Sequence, residues 1–186
     1  PEHDAPGHAG VAQMTAALLP RGARRQGRAV AAPELARQAE ALGSALDTAC
    51  SFGATTLAMT VTTPRLPAAL ALMADVLQQP LLAAEELDRV RAQALDGLRL
   101  AFSDPGQLAG LLLRRAYWGD TPYGALTSPA ALQRLTAEPL RRFHARHYQP
   151  SRCTLLLAGD ITAPQALALA ERLFGRWRGA APGAAP

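Results

Sequence analysis

The sequence predicts an α/β domain of the α+β type, because segments with helical periodicity outnumber a few short segments that are rich in β-branched or purely apolar residues. Of the 186 residues, 49% are hydrophobic and 18% are charged, which is typical of a globular core and excludes an intrinsically disordered chain. Only 5% are aromatic, so the predicted core consists mainly of Ala, Leu and Val.

The predicted helices place apolar residues three and four positions apart, so that each helix has one apolar face. In residues 9–19, for example, Val11, Met14 and Leu18 share a face, and Pro20 and Gly22 follow. Pro33 suits the first turn of the second helix and Gly43 its C-terminal cap. The predicted helices are residues 9–19, 33–42, 66–78, 84–102, 107–117, 129–135, 138–148 and 164–174.

Two places along the chain favour strands over helices. Residues 45–51 and 55–63 are rich in Thr, Val and Leu with partial alternation, and Phe52-Gly53 between them suits a turn, so they predict a β-hairpin. Residues 153–158 (CTLLLA) form a continuous apolar run, which predicts a strand covered on both faces. One or two further strands are expected before Pro1.

The organisation predicted along the chain is one domain over residues 1–178, truncated at its N-terminus, and an Ala/Pro/Gly linker over 179–186. No segment approaches the ~18 apolar residues of a membrane span, and the first residues lack the pattern of a signal peptide.

The positive charge predicts a solvated surface rather than a nucleic-acid site. The formal net charge is +4, and all 19 basic residues are Arg. The densest stretch holds Arg21, Arg24, Arg25 and Arg28 in a loop-like segment without the aromatic residues that stack on bases. A nucleic-acid-binding domain, the alternative, would require DNA binding with a steep salt dependence.

Cysteine and histidine spacing nominates no complete metal site. Cys50 and Cys153 fit no zinc-ligand spacing, and the sequence leaves open whether they form a disulfide. His144 and His147 are three residues apart on a predicted helix and could share a metal, but nothing nominates the third ligand that a stable site needs. A polar helix face explains both more simply. Packing over a loop likewise explains Tyr117, Trp118 and Tyr123 better than a ligand platform does.

The order of several motifs resembles one domain of the insulinase/pitrilysin-type metallopeptidases, the family that includes the mitochondrial processing peptidases. These motifs are AGVAQMTAALLPRGA, the Thr-rich hairpin ALDTACSFGATTLAMTV, the helix EELDRVRAQALDGLR, YWGDTPYG, and FHARHYQPSRCTLLLAGDI followed by ERLFGRW. The resemblance covers about residues 5–178. It implies a two-layer sandwich in which helices pack on a mixed β-sheet, with the first strand or two lying before Pro1.

Active members of this family carry an HxxEH zinc motif on the first helix and a third zinc ligand, Glu, on the long helix. By resemblance, the two histidines correspond to Gln13 and Ala17, the motif glutamate to Ala16, and the third ligand to Gly97. A further supporting glutamate corresponds to Val90. The resemblance therefore implies a domain without catalytic zinc or a general base, so that this chain itself is not an enzyme. The alternative is that the alignment slips and a true zinc site survives.

The resemblance further implies a non-catalytic copy that forms the chamber wall, peptide contacts and interface for a catalytic zinc-endopeptidase half or subunit. Zinc is expected in that partner only, and export to the bacterial periplasm is expected from the family. A purely structural or assembly module is the alternative function. The peptide-contact strand carried over from the family consists of Leu46, Asp47, Thr48, Ala49, Cys50 and Ser51.

Overall fold

The structure is a computed structural model that describes residues 2–4 and 9–179, so most of the predicted linker lies outside the described residues. All eight predicted helices are found, with ends shifted by only a few residues. Their bounds are α1 Val11–Leu18, α2 Ala32–Ala41, α3 Leu66–Gln78, α4 Ala84–Ser103, α5 Pro105–Trp118, α6 Pro129–Arg134, α7 Ala137–His147 and α8 Ala163–Phe174.

At some helix starts a short polar side chain accepts a hydrogen bond from an otherwise unpaired backbone N–H group. The Asp104 carboxylate accepts from the Gln107 N–H at the start of α5 (2.8 Å). The Ser128 hydroxyl does the same for Ala131 at α6 (3.1 Å). In each case proline fills the first helical position, where its missing N–H costs nothing. No helix of the described chain is both long and apolar enough to cross a membrane.

The predicted Thr-rich hairpin is confirmed, although its strands are shorter than predicted. β3 (Asp47–Cys50) pairs antiparallel with β4 (Thr55–Ala58), and Thr48 lies opposite Leu57. The turn holds Phe52-Gly53, as predicted, and the Ser51 N–H donates to the Ala54 carbonyl oxygen (2.8 Å) to close it. Partly buried and exposed residues alternate along both strands, so one face of the hairpin packs inward.

The arginine-rich segment, predicted to be loop-like, is a second hairpin. β1 (Gly22–Arg25) pairs antiparallel with β2 (Arg28–Ala31). Gln26 and Gly27 have φ values of 50° and 80°, the left-handed pair that a two-residue hairpin turn of type I′ requires. Gln is an uncommon first residue in such a turn, so the sequence signal was weak. Arg21, Arg24 and Arg28 are exposed, and Arg25 pairs with Asp75, which supports the solvated surface.

The prediction of a covered strand over residues 153–158 is wrong for the described chain. No strand pairs with this segment among residues 2–4 and 9–179, and the described sheets consist of β1–β2 and β3–β4 only. Its apolar side chains lie largely in solvent, with Leu156 85% and Leu155 38% exposed. Apolar composition predicts burial, but burial also needs neighbouring strands, and the described residues supply none.

Two buried clusters form the core of the described chain. The larger one joins α1, α4, α6 and α7 through residues such as Met14, Leu87 and Leu140. The smaller one joins β1, α2 and α3 through Ala23, Leu35 and Val76. Only Gln13 and Ala17 of the eight residues of α1 are not buried, because this helix packs between α4 and α7 and the β3–β4 hairpin.

Candidate functional site

The first helix carries three of the positions at which active members of the predicted family hold their zinc motif. Gln13 is exposed and lies at a pocket, whereas Ala16 is only 2% exposed. Ala17 is half-buried and packs against the larger core cluster. The backbone places the three residues on neighbouring faces of α1, but Ala16 and Ala17 have no side-chain atom that could bind a metal.

The long helix α4 carries the other two positions. A Cβ atom built on Gly97 would meet nothing within 4 Å, so the position opens to solvent. Val90, seven residues earlier, is 5% exposed and belongs to the larger core cluster. Where active family members have a supporting glutamate, the Val90 side chain therefore packs in the apolar core.

These residues do not fit a zinc ion. Zinc sites in proteins take Cys, His, Asp or Glu ligands, and catalytic sites use three of them. Alanine and glycine offer no such atom at positions 16, 17 and 97. The nearby carboxylate of Asp4 is already used, since its oxygens accept the N–H groups of Gly10 and Ala12 (both 2.8 Å) and cap α1. Across the residues that the structure describes, no three His, Cys, Asp or Glu side chains form a group that could hold a metal.

A pocket of about 360 Å³ lies where Gln13 faces the end of β3. The sequence did not point to Arg114, which lies at this pocket with its guanidinium 5.3 Å from the centre of the Phe52 ring. Its Nη2 donates to the Ala125 carbonyl oxygen (3.2 Å), and its buried Nε has no hydrogen-bond partner in the described chain. The pocket combines polar groups and a ring, and in the described chain the Cys50 thiol and the Ser51 hydroxyl donate to backbone carbonyl oxygens rather than to a carboxylate. Its lining includes Asp4, Gly10, Gln13, Cys50, Ser51, Phe52, Arg114, Asp120 and Thr127.

The predicted peptide-contact strand has a free edge beside this pocket. In antiparallel pairs, opposed residues alternate between exchanging both backbone hydrogen bonds and exchanging none. Because Ser51 and Ala54 are bonded, Cys50 and Thr48 occupy the positions that exchange none with β4. Their N–H and C=O groups therefore point to the outer edge of β3, which pairs with no strand in the described chain.

The loop of YWGDTPYG packs its aromatic residues against the turn of this hairpin. Tyr123 lies 5.4 Å from Phe52 and 5.3 Å from Trp118, measured between ring centroids. Gly124 is required where the loop closes, because a Cβ atom there would stand 2.2 Å from the Gly119 carbonyl oxygen. Tyr117 and Trp118 are nevertheless 76% and 45% exposed, so the loop also presents an aromatic surface near the pocket.

His144 and His147 lie in different surroundings and do not occupy a purely polar helix face. His144 Nε2 lies 2.8 Å from the Leu77 carbonyl oxygen, and burial lowers the pKa of His144. The His147 ring stacks on the His3 ring, with 4.8 Å between centroids, and packs at a tilt of 33° against the Phe143 ring at 4.4 Å. Burial, with added repulsion from His3 and nearby arginines, lowers the pKa of His147 to about 4.

The two cysteines are free thiols. Cys50 is half-buried on β3 and Cys153 is exposed, and partial burial raises the pKa of both thiols. A raised pKa lowers the thiolate fraction that a nucleophilic cysteine needs. The structure therefore offers no activated cysteine at the pocket.

Comparison with known families divides the chain into two adjoining matches. Residues 4–128 match the model described as "Insulinase (Peptidase family M16)". Residues 134–186 match the model described as "Peptidase M16 inactive domain". The first match covers about two thirds of the chain, including α1, both hairpins and α4.

Curated relatives include zinc proteases and a cofactor-synthesis protein from bacteria. The chain is 30% identical over 98 residues to an uncharacterized zinc protease of Streptomyces coelicolor, covering 52% of this chain and 21% of that protein. It is 37% identical over 137 residues to coenzyme PQQ synthesis protein F of Pseudomonas aeruginosa, covering 68% of this chain and 17% of that protein. The matched stretch thus spans about a fifth of the length of each relative.

Solved structures agree with the fold over the whole chain. A peptidase M16 inactive domain from Pseudomonas fluorescens superposes with a TM-score of 0.86 at 26% identity, over 100% of this chain and 44% of that one. The periplasmic protease PqqL of Escherichia coli superposes with a TM-score of 0.86 at 18% identity, over 100% of this chain and 21% of that one. These likenesses confirm the predicted α/β class and family fold, and both solved chains are more than twice as long as this one.

Proposed function

The chain belongs to the insulinase family of peptidases, peptidase family M16, and on that premise we propose that it is a non-catalytic domain that assists a zinc endopeptidase site located elsewhere. The observation that carries this proposal is that Ala16, Ala17 and Gly97 have no side-chain atom that could bind zinc or take a proton from water. The zinc-bound water that active family members use needs two imidazoles and carboxylates at Gln13 and these positions. The likeness to an M16 inactive domain supports the same function.

The proposed contribution of this domain is chamber wall, partner interface and peptide contact. The free edge of β3 can accept an extended peptide as an added strand, a mode that depends on backbone groups rather than on particular side chains. Peptide pairing of this kind therefore does not require particular side chains at residues 46–51. The exposed aromatic loop and Arg114 lie next to this edge, where they can contact side chains of a bound peptide.

The proposed partner is a catalytic insulinase-type half or subunit that carries HxxEH and its zinc. Two facts support it. The chain spans 44% of a solved M16 inactive-domain chain and 21% of a solved periplasmic protease, and curated relatives are named zinc proteases. We further propose an exported, periplasmic location for the parent protein, because one structural neighbour is a periplasmic protease.

An assembly module with no role in proteolysis is the second candidate. The exposed apolar residues of α5, Leu112 and Leu113, favour an interface of some kind and suit either function. The two functions differ in one respect. A peptide-contact domain changes the affinity for substrate, whereas a pure assembly module changes only the amount of complex that forms.

The zinc-to-protein ratio of the purified, dialysed chain tests the non-catalytic assignment. Elemental mass spectrometry should give a ratio near zero. A ratio near one would contradict the assignment of Gln13, Ala16, Ala17 and Gly97, and His144 and His147 would then be the first residues to replace.

Peptide contact at β3 is tested in the parent protease after its zinc has been removed by a chelator, so that bound polypeptide stays intact. The probe is β-casein, a disordered polypeptide, carrying a photo-cross-linker. Thr48→Pro removes an N–H that points to the free edge and should weaken capture about tenfold, the worth of roughly one hydrogen bond. Thr48→Ser is the matched control and should leave capture unchanged. Cross-linking that never labels residues 46–51 would contradict peptide contact and favour the assembly module.

A further inference from the structure

The pocket of about 360 Å³ beside Gln13 has one cationic side chain among its described lining residues, that of Arg114. The other charged residues described at the pocket are Asp4 and Asp120. A cavity of this size lies at the lower end of the range of about 300–1,000 Å³ that ligand pockets span. It therefore suits a single side chain or the end of a peptide rather than a folded partner.

The charge of Arg114 is not balanced by a carboxylate in the part of the chain that the structure describes. The neighbouring Arg115 pairs with Asp120. The two carboxylate oxygens of Asp4 accept the N–H groups of Gly10 and Ala12 (both 2.8 Å). Both acidic side chains at the pocket are thus already engaged, and Arg114 is left to attract an anion from outside the domain.

The contacts of Arg114 hold its guanidinium in place without using all of its hydrogen-bond donors. The group lies 5.3 Å from the centre of the Phe52 ring, and its Nη2 donates to the Ala125 carbonyl oxygen (3.2 Å). A guanidinium has several N–H donors, and the buried Nε has no partner in the described chain. A cation that is held in position with donors to spare loses little freedom when it binds an acceptor.

Gln13 places an amide at the same pocket. Its side chain is exposed at a position where active family members have a zinc-binding histidine, and an amide NH₂ group can donate to an anionic oxygen. The end of β3 borders this pocket through Cys50 and Ser51, and the backbone groups of Cys50 point to the free edge. A peptide added to that edge would therefore pass beside Arg114 and Gln13.

We propose that this pocket binds a carboxylate group of the peptide that pairs with β3, held by the Arg114 guanidinium and the Gln13 amide. This rests on the proposed peptide contact and names the class of peptide that the domain prefers. The planar guanidinium matches a carboxylate through two parallel N–H···O bonds. Since Arg114 is half-buried, water screens this attraction less than it would at an exposed site. The carboxylate comes from an Asp or Glu side chain or from the C-terminus of the peptide.

Two matched sets of peptides, measured on the zinc-depleted parent protease, test this proposal. Each fluorescent peptide has about eight residues, long enough to pair with β3, and consists of alternating Thr and Gln. In the first set the C-terminus is amidated and a single Glu replaces each Gln in turn. In the second set the neutral peptide ends in a free carboxylate. Either Glu at one position or the free C-terminus should bind about tenfold more tightly than the neutral amidated peptide.

Variants of the domain then assign this preference to the pocket. Arg114→Gln should abolish the preference and leave the affinity for the neutral peptide unchanged, because pairing with the backbone of β3 remains. Gln13→Glu should also abolish it, because the pocket would then hold a carboxylate of its own. Arg89→Gln is the matched control. It removes the same charge from an exposed residue that does not line the pocket, and it should keep the preference.

The outcomes separate this proposal from the proposed function. Equal binding of acidic and neutral peptides would overturn the proposal and leave peptide contact intact, whereas binding of no peptide would overturn both. A preference that survives in Arg114→Gln or in Gln13→Glu would also overturn the proposal, because the carboxylate would then bind elsewhere. If Arg114→Gln loses the neutral peptide as well, Gln13→Glu decides. The set that shows the preference identifies the carboxylate as a side chain or as the C-terminus.

Discussion

The imidazole of His147 lies face to face with that of His3, with 4.8 Å between the ring centroids and 14° between the planes. Both rings line an apolar groove of about 830 Å³ that is bordered by β4 and residues 153–157. His147 is partly buried, its Nδ1 has no hydrogen-bond partner in the described residues, and its pKa is lowered to about 4. The neutral ring is therefore the form that the folded state favours.

The stability of the domain should decrease as the pH falls from about 6.5 to about 4. In this window the unfolded chain protonates His147 while the folded chain resists it, so the unfolded state binds more protons and gains free energy. After allowance for solvent screening, we expect about 1 kcal/mol, a shift of about 2–4 °C in the unfolding midpoint. Thermal unfolding at several pH values measures it. His147→Phe should reduce the dependence and leave the part due to His144, and an unchanged slope would contradict the assignment to His147.

Gly124→Ala should destabilise the domain by about 2 kcal/mol or more, because the new Cβ would stand 2.2 Å from the Gly119 carbonyl oxygen and the backbone would have to move. Gly110→Ala is the matched control. Its Cβ would meet nothing within 4 Å inside α5, so alanine should stabilise that helix by about 0.5–1 kcal/mol. Denaturant unfolding of both variants measures the difference. Equal effects would mean that the YWGDTPYG loop does not close tightly.

Ala16→Glu should cost about 3 kcal/mol or more, since it places a carboxylate without a partner at a position that is 2% exposed. Ala17→Glu should cost less than Ala16→Glu, because Ala17 is only half-buried. Gln13→Glu is the control at an exposed site on the same helix and should change stability by less than about 0.5 kcal/mol. Unfolding midpoints that follow another order would show that α1 is rotated from the position described.

Arg91→Ala should destabilise the domain by about 1.5–3 kcal/mol, the range for hydrogen bonds to charged groups. Its Nε and Nη2 donate to the carbonyl oxygens of Leu132 and Leu135, which ties α4 to the end of α6. Arg89→Ala removes the exposed pair with Glu86 on the same helix and should cost at most about 0.5 kcal/mol. Chemical unfolding of the two variants provides the comparison, and similar costs would rule out a structural role for the Arg91 contacts.

Local patterns in the sequence were sufficient to predict the helices and one hairpin. Apolar spacing, proline in first turns and glycine after helix ends depend on neighbouring residues only, and all eight helices were located in this way. The β3–β4 hairpin was found because Phe52-Gly53 separates two Thr-rich stretches. The β1–β2 hairpin was missed because Gln26 gives little sign that it adopts a positive φ. A distant segment also supports this hairpin, through an isolated antiparallel bridge between Ala23 of β1 and Pro80.

The candidate site divides in the same way. The sequence by itself determined that Ala16, Ala17 and Gly97 lack ligand atoms, because chemical identity does not depend on folding. Only the tertiary structure decided that Gln13 faces a pocket with Arg114, that His144 and His147 have separate partners, and that residues 153–158 are uncovered. Those properties depend on which distant segments meet, and on the neighbours that burial requires, which residue order along one element cannot specify.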